Sequence, residues 1–199
     1  RKRRYGVARE LVKHGVGLDA QDELGRTALM WSARRNAPEV ARLLVEAGAS
    51  LQIEDLGRLT ALGTAIRYGS TSIVKMLLEA GSDISEAKRF HGGRPLLVWA
   101  VNRQDTSLVR YLVEHGANPE VKDNWGRTPL VHAITSEQAG MATLLVRLGA
   151  DVNTRDKREC TPLMKAAAGG DTALVRLLVE NGADVHATSR DGISAINFH

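Results

Sequence analysis

The chain has one cysteine, Cys160, so an intrachain disulfide framework is excluded. It also lacks any Asn-x-Ser/Thr glycosylation acceptor, and the two absences together favour a reducing, intracellular compartment, cytoplasmic or nuclear. Aromatics are scarce at 4%, so the 43% hydrophobic content must build its core from Leu, Val, Ile and Ala, a composition suited to thin, closely stacked helices. No apolar run approaches the ~18 residues of a membrane span, and no signal-peptide pattern opens the sequence, so no membrane insertion is expected. The net charge of +4 is carried by Arg1, Lys2, Arg3 and Arg4; the other 23 basic residues balance 23 acidic ones. That end reads as a solvated basic cluster, with a nuclear-import or polyanion patch as the alternative, and nucleic acid is an unfavoured partner.

Catalytic constellations are missing too. There is no H-E-x-x-H, G-x-x-x-x-G-K-[ST], G-x-S-x-G or paired-Cys zinc pattern, so neither enzyme activity nor a cofactor or metal is expected. His14 and His115 directly precede helix-ending glycines, where a partly charged imidazole suits the helix dipole. Cys160, between a turn and a helix cap, is expected to be exposed and chemically idle.

What the chain does have is a glycine that returns at Gly15, Gly48, Gly81, Gly116, Gly149 and Gly182, each after a Leu/Val-rich run such as LVEAG or LVENG. That is a helix C-terminus with glycine in the left-handed position, where a Cβ would clash. A second landmark lies upstream: Thr27–Leu29 (TAL), Thr60–Leu62 (TAL), Pro95–Leu97 (PLL), Thr128–Leu130 (TPL) and Thr161–Leu163 (TPL). Thr before a first-turn Pro is a helix start, because the hydroxyl caps free amides and Pro has none to satisfy. Each unit therefore holds two short helices, the first lined with small residues (Ala65, Ala133, Ala166) and the second with bulky ones (Leu44, Leu77, Leu144, Leu177). Neither buries its stripe alone; stacking neighbours does. The polar Asp- and Gly-containing stretch after each glycine reads as a tight turn.

The period, the Thr-Pro-Leu start and the Gly-Ala-Asp-Val-Asn exit resemble the ankyrin repeat over essentially the whole chain. The resemblance implies an all-α repeat solenoid, a stack of helix-turn-helix units joined by β-turn fingers. It divides the chain into full repeats 22–54, 55–87, 88–122, 123–155 and 156–188, with partial repeats 1–21 and 189–199. Because both ends cut a repeat, the chain is expected to be a fragment of a longer protein. The sequence departs from the family pattern where His is usual after Thr-Pro-Leu: Met30, Gly63, Val98, Val131 and Met164 stand there, so the bonds of that His are not implied. The turn Ser85–Arg94 is also two residues longer than its equivalents.

The family role is a non-enzymatic interaction scaffold whose turn tips and first helices offer a concave face. In T-P-L-H-x-A the x position has no core duty, and here it holds Trp31, Thr64, Trp99, His132 and Lys165. One helical turn on lie Arg35, Tyr68 and Arg103, with Arg34 and Arg67 flanking, so that Trp31/Arg35 and Trp99/Arg103 share helix faces. Trp31 and Trp99 either anchor a partner or fill space between first helices; Trp125, at a turn tip in DNWGRT, has little core to fill and favours binding. Arg26, Arg58, Arg94 and Arg127 near the helix caps read as consensus residues with solvated side chains. With 20 Arg against 7 Lys, and with Glu46, Glu79, Glu114 and Glu180 late in the second helices, a basic first-helix wall is expected to take an acidic or phosphorylated extended segment of a partner protein.

The predicted contact set is Trp31, Arg34, Arg35, Arg67, Tyr68, Trp99, Arg103, Trp125, Arg127, His132 and Lys165 on a monomeric array. The alternatives are a receptor for a phosphate-rich ligand or nucleic acid, and a regulatory array attached to an enzyme outside this fragment. The resemblance also implies an asparaginyl-hydroxylation site at Asn153, with Leu145, Asp151 and Val152 matching the family context.

Overall fold

The computed structural model describes residues 17–84 and 95–197, which fall in two compact units, residues 1–91 and 92–199. Gly15, His14, the Arg1–Arg4 cluster and the long turn Ser85–Arg94 lie outside the described residues. The first unit holds helices α1 (Ala28–Arg34), α2 (Pro38–Glu46), α3 (Ala61–Tyr68) and α4 (Thr71–Glu79). The second holds α5 (Leu96–Asn102), α6 (Thr106–Glu114), α7 (Pro129–Thr135), α8 (Ala139–Arg147), α9 (Pro162–Ala168), α10 (Thr172–Glu180) and a 3-10 turn at Ala195–Asn197. Among the described residues extended pairing is limited to an isolated bridge between Thr188 and Ser194, so the expected all-α repeat fold is what forms.

The helix starts follow the sequence chemistry. Thr27 accepts from the Met30 amide at 3.3 Å, Thr60 from Gly63 at 3.2 Å and Thr161 from Met164 at 3.3 Å, each covering one otherwise orphaned donor. Thr128 differs: α7 begins on Pro129, and the buried Thr128 hydroxyl has no hydrogen-bond partner. In α9 the Met164 sulfur accepts the Thr161 amide at 3.4 Å, so an apolar side chain where the family has His still reaches the cap. Met30, Val98, Val131 and Met164 are all at most 1% exposed. Those departures from the family pattern are core filling.

The described periodic glycines, Gly48, Gly81, Gly116, Gly149 and Gly182, have φ between 86° and 96°, as a left-handed helix end requires. Beyond them the amides of Ala49, Ala150 and Ala183 return to the carbonyls of Leu44, Leu145 and Leu178, closing the helix ends. The core of the first unit is Leu29, Ala33, Leu62, Ile66, Ile73 and Leu77; that of the second includes Leu108, Leu112, Leu130, Leu145, Leu163 and Leu178. Cys160 corrects an expectation: it is 9% exposed and packs with Met164 and Ala187, with Ala195 against them. The chain turns inward at that residue to enter the α9 cap.

Successive fingers are joined through the backbone. The Leu56 amide donates to Leu24 O at 3.0 Å in the first unit; Lys157 donates to Trp125 O at 2.9 Å and Arg190 to Arg158 O at 3.0 Å in the second. The fit at this seam is close enough that a Cβ on Gly126, φ 78°, would lie 2.9 Å from the Lys157 nitrogen. A Cβ on Gly149, φ 87°, would meet nothing within 4 Å. Gly126→Ala should therefore cost about 2–5 kcal/mol by urea unfolding, strain plus overpacking, against about 1–2 kcal/mol for Gly149→Ala, which carries strain alone. Equal losses would show that the fingers do not pack at that distance.

Candidate protein-binding surface

Four of the described fingers are built on an acidic side chain. Oδ1 of Asp22 accepts the amides of Leu24 and Arg26 (3.0 and 2.9 Å), and Oδ1 of Asp55 those of Gly57 and Leu59 (2.8 and 2.9 Å). Asp123 does the same for Trp125 and Arg127 (2.8 and 2.9 Å), and Asp156 for Arg158 and Cys160 (2.8 and 3.0 Å). An Asp whose side chain bonds amides two and four residues ahead holds the turn without any regular ladder.

The second carboxylate oxygen reaches the first helix. Asp22 Oδ2 accepts from Trp31 Nε1 at 3.0 Å, Asp123 Oδ2 from His132 Nε2 at 2.9 Å, and Asp156 Oδ2 lies 3.3 Å from Lys165 Nζ. Because a carboxylate only accepts, the His132 proton in this contact sits on Nε2. Arg26 Nε and Arg127 Nε add a second donor to Asp22 and Asp123 at 3.1 and 2.9 Å. Burial raises the Asp123 pKa, but the amides of Arg127 and Trp125 and the side chains of His132 and Arg127 outweigh it and hold the carboxyl below its ordinary value of 3.8. At Asp22 the Arg26 amide is the largest influence, and the carboxyl is likewise held low.

This ladder revises the predicted contact set. The x position is not free of structural duty: Thr64 and His132 are both 5% exposed. His132 therefore ties finger to helix inside the second unit and does not face a partner, and Lys165 is engaged with Asp156. Arg26 and Arg127, expected to be solvated, are instead bonded to their finger aspartates, whereas Arg58 is largely exposed and pairs with Glu54 at 3.4 Å. His115 behaves as expected of a residue at a helix end, its ring bonding Tyr111 O at 2.8 Å and stacking on the Tyr111 ring at 3.9 Å.

The first unit brings the other predicted residues together. The guanidinium carbons of Arg26, Arg34 and Arg35 lie 4.3, 5.2 and 5.6 Å from the Trp31 ring centroid. Those of Arg34 and Arg67 lie 5.3 and 5.8 Å from the Tyr68 ring, so Arg34 spans both aromatics. Among the described residues no carboxylate pairs with Arg34 or Arg35, both of which are exposed. An open groove of about 260 Å³ is lined by residues of this cluster, Arg34, Arg67 and Tyr68, together with Leu24, Asp55 and Leu56 of the fingers.

In the second unit Trp125 is 55% exposed at its finger tip, under the Arg127 guanidinium at 4.6 Å. Trp99 is half-buried on α5, and Arg103, exposed at the end of that helix, donates its amide to Trp99 O at 3.1 Å. Asn153 is exposed, but both ends of its amide are used: Nδ2 donates to Gly182 O at 2.9 Å and Oδ1 accepts from the Asp184 amide at 2.8 Å. Reading the sequence missed the finger aspartates, although the signal was there. Asp stands nine residues before Trp31, Thr64, His132 and Lys165, and four before Arg26 and Arg127.

Paired antiparallel helices, left-handed glycine exits and carboxylate-pinned fingers define a helix-turn-helix repeat protein of the ankyrin type. Family models for ankyrin repeats match residues 2–88, 85–156 and 144–198. The ankyrin repeat domain of Bcl-3, described as a unique member of the IkappaB protein family, is similar at 31% identity and a TM-score of 0.86, over 96% of this chain and 86% of that one. The ankyrin repeat domain of human ASB11 shares the fold at 23% identity and a TM-score of 0.79, over 98% of this chain and 90% of that one. No curated protein sequence matches. The chain belongs to the ankyrin-repeat family, whose repeats are protein–protein interaction modules.

Asp123 ties this geometry to pH. Its folded carboxyl titrates below the unfolded value, so the unfolded state takes up the proton first; the stabilisation is complete above the unfolded pKa of about 3.9 and is lost as pH falls through the folded value. Urea unfolding between pH 5 and pH 2 should fall more steeply for the wild type than for Asp123→Asn. Identical slopes would remove Asp123 from the acid response.

Proposed function

We propose that the chain is a non-enzymatic, intracellular interaction scaffold that uses the Trp31–Tyr68 face of its first unit to hold an acidic or phosphorylated extended segment of a partner protein. The observation that carries this reading is the pair of exposed guanidiniums, Arg34 and Arg35, set over Trp31 with no carboxylate of their own among the described residues. An arginine so placed has its planar fork held by the ring beneath it, and less rotamer freedom is lost when it meets a carboxylate or phosphate. Arg67 and Tyr68 extend the same surface. The exposed Trp125 with Arg127 is a second aromatic–guanidinium contact, argued separately because it belongs to the other unit.

A phosphate-rich ligand is the competing occupant of this surface, and salt separates the two. Counterion release lowers the log affinity of a single-stranded polyanion by about 0.7 per neutralised phosphate per tenfold rise in salt, while a segment that also packs on Trp31 and Tyr68 loses less. Fluorescence anisotropy with a labelled Glu-rich dodecapeptide, its phosphoserine counterpart and a dodecathymidylate tests both. The peptides are expected to bind, to keep most of their affinity between 50 and 200 mM salt, and to weaken about tenfold in Arg34→Ala/Arg35→Ala, the scale of one charge-assisted hydrogen bond. Tighter binding of the oligonucleotide with a steep salt slope, or peptide affinity untouched by the double substitution, would overturn the reading.

A further inference from the structure

Three of the four finger aspartates are neutralised by a cation of their own repeat: Asp22 by Arg26 at 3.1 Å, Asp123 by Arg127 at 2.9 Å and Asp156 by Lys165 at 3.3 Å. Asp55 is the exception. Its Oδ1 makes the usual pair of bonds to the Gly57 and Leu59 amides, so the turn is the same. Four residues on, however, stands Leu59, which is apolar and buried, and nine on stands Thr64, which carries no charge. Arg58, the nearest cation in sequence, is directed to Glu54. Among the described residues no donor is bonded to Asp55 Oδ2, and Asp55 lines the groove that also holds Arg34, Arg67 and Tyr68.

We propose that Asp55 is a specificity-determining residue that accepts a Lys or Arg side chain of the bound segment, supplying from the partner the cation that every other described finger aspartate finds within the chain. The inference rests on the peptide-binding reading above and adds a requirement to it: the segment carries both signs, an acidic residue on Arg34 and a basic one on Asp55. Charge balance in the groove favours such a segment. Arg26 is already matched by Asp22, which leaves Arg34 and Asp55 as oppositely charged groups without an opposite partner among the described residues. A cation alone would meet the field of Arg34 and Arg67, and an acid alone would leave the Asp55 carboxylate half-buried beside it.

A phage-displayed random dodecapeptide library selected on the whole chain, on Asp55→Asn, on Thr64→Lys and on Arg34→Ala tests this. Asp55→Asn keeps an acceptor oxygen for the two turn amides but removes the charge; Thr64→Lys leaves the turn intact and places the chain's own ammonium where Lys165 meets Asp156. Selection on the wild type should enrich peptides that carry both Lys or Arg and Asp or Glu, by roughly tenfold over the unselected library, the scale of one charge-assisted contact. Both groove variants should lose the basic preference and keep the acidic one, while Arg34→Ala should lose the acidic one. If Asp55→Asn lowers the melting temperature, Thr64→Lys carries the test alone. A basic preference that survives in Thr64→Lys, or is absent from the wild-type pool, overturns the proposal. Pools without any acidic preference, or with one indifferent to Arg34→Ala, overturn instead the reading on which it rests.

Discussion

In four described fingers one carboxylate holds the turn, and in most of them it also holds the turn to a helix. One oxygen fixes the turn by accepting amides two and four residues ahead, and in three of the four the other oxygen fastens that turn to the first helix of the same repeat. A finger has little regular structure and few apolar side chains, so its backbone donors need a local acceptor to survive partial burial. The aspartate provides it at Asp22, Asp55, Asp123 and Asp156, and the Ser189 hydroxyl takes the Ile193 amide at 3.2 Å in a lesser version. The close approach of neighbouring fingers, with a backbone bond from Lys157 to Trp125 and a glycine at Gly126 where a Cβ would clash, follows from turns held to one shape.

The same ladder explains which surface residues are available for binding. Where the second oxygen is used internally, the residue opposite it is committed to the fold, as with His132 and Lys165. Trp31 has both roles: its indole N–H bonds Asp22, while its ring supports Arg26, Arg34 and Arg35. A finger-to-helix tie thus becomes a platform for the exposed Arg34 and Arg35. At Asp55 the tie is missing, and there the groove acquires an acceptor that no other described side chain satisfies.

Much of the fold was legible because it rests on local backbone chemistry. A left-handed residue after a helix demands glycine, and Gly48, Gly149 and Gly182 supply it; a first-turn amide wants a hydroxyl, and Thr27, Thr60 and Thr161 supply that. Apolar Met30, Val131 and Met164 at the family's His position also announced a buried site by type alone. The candidate site was less legible, since the x position looks solvent-facing when helix periodicity is the only guide. Both Thr64 and His132 are buried there, and at His132 the finger reaches the helix through Asp123, an interaction across nine residues that spans two elements. Cys160 misled for the same reason: a polar stretch surrounds it in sequence, yet Met164 and Ala187 enclose it in space.

The finger carboxylate of Asp123 couples turn to helix, and Asp55 lacks that coupling among the described residues. A double-mutant cycle read by urea unfolding measures it: Asp123→Ala with His132→Ala, set beside Asp55→Ala with Thr64→Ala. The expected coupling is about 1–3 kcal/mol for the first pair, as for a buried charge-assisted hydrogen bond, and within about 0.5 kcal/mol of zero for the second. Additive losses at Asp123 and His132, or equal coupling in both pairs, would contradict it.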